Sequence, residues 1–179
     1  MSWMARSFTF ANVIRDEIPA PREYIELQYK GPDPMGVYHK LDLLLRKIWE
    51  LKGTQMNEPD FRWDTTSDPR PFFIHVFVEK AMDKWTGYRV DVKMQGSQPT
   101  DPTKPGVLRI EIHGWIETKF DGASEKPINK QLFRLFYWPY HVMYYAPRRR
   151  RYIEWHRRRI DRLVQEIREI LQIPARPIP

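Results

Sequence analysis

Cysteine is absent from the chain. That excludes disulfides, zinc–thiolate sites and thiol nucleophiles, and it fits a reducing compartment. Long apolar runs are missing too. The greasiest stretch, residues 135–146, contains Pro139 and His141 and is too short to cross a bilayer as a helix. The first ten residues hold no uninterrupted apolar segment and do not read as a signal peptide. These absences together lead to the expectation of a cytoplasmic protein without a transmembrane segment. Catalytic signatures are equally scarce. Serines are few, and none lies in a Gly-x-Ser-x-Gly elbow. There is no phosphate-binding loop, dinucleotide fingerprint, His-x-His pair or His-Glu-x-x-His motif. No cofactor is expected, and a nucleotide-driven enzyme is disfavoured.

What the chain does have is apolar material and an uneven charge. A hydrophobic fraction of 41%, with 14% aromatics, is ample for a core and argues against global disorder. At 179 residues the chain suits one domain that buries about two thirds of its unfolded surface. The net charge is +7, and residues 147–179 carry ten arginines against Glu154, Asp161, Glu166 and Glu169, a net of +6. The rest of the molecule is therefore nearly neutral.

Apolar residues in 147–173 recur at three- and four-residue steps: Ile153, Ile160, Leu163, Val164, Ile167, Ile170 and Leu171. That spacing predicts a long amphipathic helix, closed by Pro174 and followed by a Pro-rich tail, 174–179. A second helix is expected after Asp33, a candidate N-cap, with Pro34 at its first position and Gly53 beyond its last turn. Its stripe is Val37, Leu41, Leu44, Leu45, Ile48 and Leu51.

Elsewhere the period is two. Residues 24–30 place Ile25, Leu27 and Tyr29 on one side. Residues 72–79 place Phe72, Ile74, Val76 and Val78 on one face and Phe73, His75 and Phe77 on the other, which suggests a strand inside the sheet. Tyr88, Val90, Val92 and Met94 alternate with Arg89, Asp91 and Lys93. In 107–120, Ile110, Ile112 and Ile116 point in while Arg109, Glu111, His113 and Glu117 point out. A short strand is expected at 61–64, and a loop at 96–106. The aromatic density of 129–145 favours a strand pairing back onto 107–120, with a helical turn as the alternative. Residues 1–22 show no clean period and read as an irregular arm pinned by Trp3, Phe8 and Phe10. The expected fold is therefore α+β: one domain over 23–173, an antiparallel meander packed against the basic C-terminal helix, with a second helix after the first strand.

This element order, from Tyr24 to Ile173, resembles that of START-like helix-grip proteins. That family usually has two short helices after its first strand, where this chain shows one. The resemblance implies a curved sheet wrapping a long C-terminal helix around an apolar cavity that holds a lipid or another apolar small molecule.

Two sets of side chains stand out chemically. Arg148, Arg149, Arg150, Arg151, Arg157, Arg158 and Arg159 lie beside Tyr152 and Trp155. Guanidinium groups bind phosphate bidentately and rings accept stacked bases, so this pattern suits nucleic acid or another polyanion. Its bland counterpart is a solvated helix face with local pairs such as Glu154 with Arg158 and Arg162 with Glu166. Glu111, His113 and Glu117 share a strand face that suits a divalent cation or acid–base work, but ion pairs with Arg89 and Lys93 account for the same residues. Three readings follow. The first is a non-enzymatic domain binding an anionic partner, most plausibly nucleic acid, through the arginines. The second is a helix-grip protein with an apolar ligand, and the third a structural or homo-oligomeric assembly protein.

Overall fold

Strict alternation makes one face of a strand apolar, and such faces must be covered. A computed structural model describes residues 13–18, 22–52, 55–101, 103–119, 135–136 and 140–173. In it the alternating stretches form one antiparallel sheet with its apolar face under two helices. The elements in chain order are β1 (Val13–Ile18), β2 (Ile25–Gly31), α1 (Gly36–Trp49), β3 (Met56–Trp63), β4 (Arg70–Ala81), β5 (Thr86–Gln98) and β6 (Gly106–Lys119). A π-helical turn, His141–Tyr145, then leads into α2 (Ala146–Leu171). The architecture is α+β, as the sequence pattern predicts.

Strand order is β1-β6-β5-β4-β3, and β2 shares the same edge of β6 as β1. The register runs Ile18↔Gly114 and Ile25↔Ile112, so the two N-terminal strands follow each other along β6. β4 is an internal strand, flanked by β3 and β5. The core face carries Ile74, Val78, Val90, Met94, Ile110, Ile112 and Ile116, all at most 1% exposed. Leu41 and Leu45 of α1, and Ile160, Leu163 and Ile167 of α2, close over it. The helix comes so near β6 that a Cβ at Gly114 would collide with Ile160 Cδ1 and lie 3.2 Å from His156 Nε2. Any side chain there would displace the end of Ile160.

Several expectations need correction. Residues 13–18 are a strand, not part of an irregular arm. The period is masked because Asp16 occupies an inward position, where it meets Arg149 of α2. Trp3, Phe8 and Phe10 lie outside the described residues, as does the tail 174–179. Most of the expected strand at 129–145 lies outside the described residues, and the edges of β6, its expected partner, are taken by β5 on one side and β1 with β2 on the other. Its described end, His141–Tyr145, is the π-helical turn instead. Aromatic residues resemble strand formers on composition alone, but Tyr145 is buried by tertiary contacts that a local pattern does not encode.

β3 starts earlier than expected, and a register shift between Asn57 and Asp60 accommodates Pro59 on this edge strand. β5 and β6 extend into the expected loop, pairing Ser97↔Val107. Gly96 permits this, since a Cβ there would strike the Val107 carbonyl. α1 begins at Gly36 without a side-chain cap; Asp33 adopts a left-handed φ of 46° and its carbonyl accepts the Gly36 N–H at 3.1 Å. The helix ends at Glu50, also left-handed, before Gly53 is reached.

Candidate anion interface

The arginine run begins at the first turn of α2, and helix geometry disperses it. Consecutive residues are about 100° apart, so four in a row point to four sides. Arg149 turns towards the sheet, is only 15% exposed and pairs with Asp16. Arg148 Nε donates to Tyr152 Oη at 2.8 Å, and Tyr152 in turn donates to Asp83 at 3.1 Å. Arg159 lies 3.6 Å over the Trp155 ring and reaches Glu50 at 3.2 Å. Trp155 packs on Tyr88 at 5.5 Å. Of the nine predicted site residues, five therefore hold α2 in place: Arg148, Arg149, Tyr152, Trp155 and Arg159.

The remaining four are brought together on the outside. Arg150, Arg151, Arg157 and Arg158 are all exposed. Arg158 pairs with Glu154 at 3.8 Å, and the other three have no ion pair among the described residues. Arg150 and Arg157, and likewise Arg151 and Arg158, are seven residues apart, two turns and about 10 Å along one line of the helix. Next to this ridge, at its N-terminal end, Tyr140 and Tyr144 stack at 5.9 Å and stay 44% and 69% exposed.

A residue without any signal in the arginine pattern fixes where the ridge starts. Asp83, in the β4–β5 turn, accepts the backbone N–H groups of Trp85 and Thr86, both at 2.8 Å. It also accepts the Tyr145 hydroxyl at 3.1 Å. Burial pushes its pKa up, but those four donors outweigh it and hold the carboxyl below its usual value. Tyr145, which also bonds Thr86, has its own pKa raised by burial to about 12. The sequence pattern singled out neither this turn nor its capture of two phenols from α2 and the turn before it.

The buried His156 is structural. Trp49 Nε1 donates to its Nδ1 at 3.2 Å, so the proton sits on Nε2, which faces the Arg89 carbonyl at 3.3 Å. Burial pushes its pKa down to about 4.

The other strand-face set stays apart. Glu111 pairs with Arg109 at 2.8 Å and Glu117 with Lys119 at 2.7 Å, while His113 stacks on Tyr24 at 5.0 Å. Arg89 pairs with Asp91 and Glu79 instead of with these residues. Among the described residues no group of three or more His, Asp or Glu side chains is placed to hold a metal ion. No described helix is long and apolar enough to cross a membrane.

No family model and no curated protein matches this chain. A solved structure of a Staphylococcus aureus protein of unknown function, SA2116, aligns at 7% identity over 84% of this chain and 94% of that one. Its TM-score of 0.23 is too low to carry any argument about fold or function.

Proposed function

We propose that this protein is a non-enzymatic domain that binds nucleic acid through the outer ridge of α2. One observation carries the reading: four exposed arginines share a surface with a single 3.8 Å ion pair among the described residues, while Arg148, Arg149 and Arg159 are held by the fold. Four cations around the single carboxylate of Glu154 keep a surplus for phosphates, and releasing condensed counterions from the polymer drives such binding. The exposed Tyr140 and Tyr144 beside the ridge suit stacking of unpaired bases, which favours a single strand over a duplex. An extended side chain on a helix surface has no fixed geometry for base edges, so affinity should vary little with sequence.

The test replaces all four arginines by Gln, a good helix former that leaves α2 intact. Binding of generic single-stranded RNA is then followed against salt. The parent should bind at low salt, and the variant's slope of log affinity against log salt should be shallower by about 0.7 for each phosphate that is no longer neutralised. A parent that binds nothing at low salt, or a variant with the parent's slope, would remove the proposal. Binding to anionic vesicles in place of RNA would reassign the ridge to a membrane surface.

The apolar-ligand alternative has no comparable support, because Ile160 of α2 lies directly against β6 at Gly114.

A further inference from the structure

β3 is the outermost strand of the sheet on the β4 side, and no described strand pairs with its free edge. One hydrogen bond shows which backbone groups that edge presents. The Asp64 N–H donates to the Pro71 carbonyl of β4 at 3.0 Å, continuing the ladder past Trp63↔Phe72. Backbone direction alternates along a strand, so Asp60, Arg62 and Asp64 turn their N–H and C=O groups to β4. Phe61 and Trp63 turn theirs outward, away from the sheet.

The side chains along this edge are unusual for a strand left in water. Phe61 is 46% and Trp63 37% exposed, although both share the helix-covered face with Ile74 and Phe72. Phe61 meets Tyr38 of α1 at 5.4 Å and still keeps that exposure. An open edge is ordinarily blunted by charge or proline. Here Pro59 and the register shift between Asn57 and Asp60 interrupt only the first half of the strand. The opposite margin of the sheet is better protected. β1 carries the inward Asp16, and the exposed positions of β2 are Glu26, Gln28 and Lys30.

We propose that β3 pairs antiparallel with β3 of a second copy of this chain, about a two-fold axis at Phe61, so that two sheets become one. Such a contact uses the same edge of both copies and closes on itself. The charges choose this register. Centred on Phe61, it sets Arg62 opposite the partner's Asp60, twice over. Centred on Arg62, it would set Arg62 against Arg62 and Asp60 against Asp64, like charges directly opposite. Arg62 and Asp60 already pair within the chain at 2.7 Å, so they select the register and do not supply the attraction. The attraction comes from Phe61, whose outward backbone exchanges both hydrogen bonds with its copy, and from exposed rings that leave water. One short strand makes a small interface of the transient class, so the dimer is weak. The proposal is independent of the arginine ridge, since α2 packs on α1, β6 and β1 and leaves β3 alone.

The experiment follows the full chain by sedimentation velocity from micromolar to millimolar concentration, with amide exchange read by NMR at both ends. The dimer fraction should rise with concentration. The Phe61 and Trp63 amides should exchange several-fold more slowly in the dimer, while the Arg62 amide, already bonded to β4, gains less. Arg62→Glu and Asp60→Arg should each be monomeric alone, because each sets like charges opposite one another across the axis. An equal mixture of the two variants should recover the dimer, which also shows both to be folded. The ridge variant with four Gln substitutions should dimerise like the parent, so the two claims fail separately. A parent that stays monomeric at millimolar concentration would overturn the proposal and leave this edge to a strand of another protein. A dimer with unchanged exchange at Phe61 and Trp63 would overturn it too, as would a mixture no more dimeric than either variant alone.

Discussion

Single residues decide how the two layers meet. His156 is fully buried yet polar, and its hydrogen bonds to Trp49 and the Arg89 carbonyl require the neutral ring. An unfolded imidazole titrates near about 6.5, whereas this one titrates near about 4. Between those values the unfolded chain binds a proton that the folded one refuses. Stability from this residue is thus complete above pH 6.5 and declines as pH falls towards 4, by about 3 kcal/mol in all. Denaturant unfolding across pH 4–7 should show that decline. NMR should show the His156 ring unprotonated at pH 5.5, and titration near 6.5 would contradict its placement. Gly114 works on the same contact. Gly114→Ala should cost about 1–3 kcal/mol by overpacking against Ile160, and a melting temperature equal to the parent's would mean that α2 can shift away freely.

α2 is the element on which both structure and proposed function depend, and its two faces have separate duties. Ile160 and Ile167 are at most 1% exposed. Truncating either to Ala should cost about 2–5 kcal/mol, read as a lowered denaturation midpoint with an unchanged slope. A change within error would show the helix standing off the sheet. Its N-terminal end is held by the Asp83 hub. Asp83→Ala removes the acceptor shared by the Tyr145 and Tyr152 hydroxyls and the Trp85 and Thr86 amides, at a cost of about 1–3 kcal/mol. Amide exchange in residues 146–152 should accelerate before the rest of α2 responds, and uniform acceleration would argue against a local clamp.

At the level of elements, much was legible from pattern alone. The apolar stripes of α1 and α2 and the alternation in β4, β5 and β6 follow from one buried face each. β1 was hidden because an inward Asp16 makes sense only once Arg149 arrives from 133 positions later in the chain. Tyr145 likewise needs Thr86 and Asp83 to explain why an aromatic stretch coils into a π-helical turn.

Across the whole molecule, charge and layering divide the surfaces between tasks. The excess of arginine was legible as a number, but its sorting was not. A run of four looks like one patch in sequence, whereas the helix sends Arg149 inward to Asp16 and Arg148 sideways to Tyr152, leaving Arg150 and Arg151 to join Arg157 and Arg158 outside. The open edge of β3 was invisible in sequence because only strand order and register decide which backbone groups go unpaired.

The central claim, that the outer arginines of α2 engage phosphates, is tested most directly by one comparison of salt slopes. Single-stranded RNA binding would be measured over a salt series for the parent and for Arg150→Gln, Arg151→Gln, Arg157→Gln and Arg158→Gln combined. With all four arginines on phosphates, the slope should fall in magnitude by about 3, with thermal unfolding unchanged. Equal slopes in two equally stable proteins would contradict the claim and return those arginines to the role of a solvated helix face.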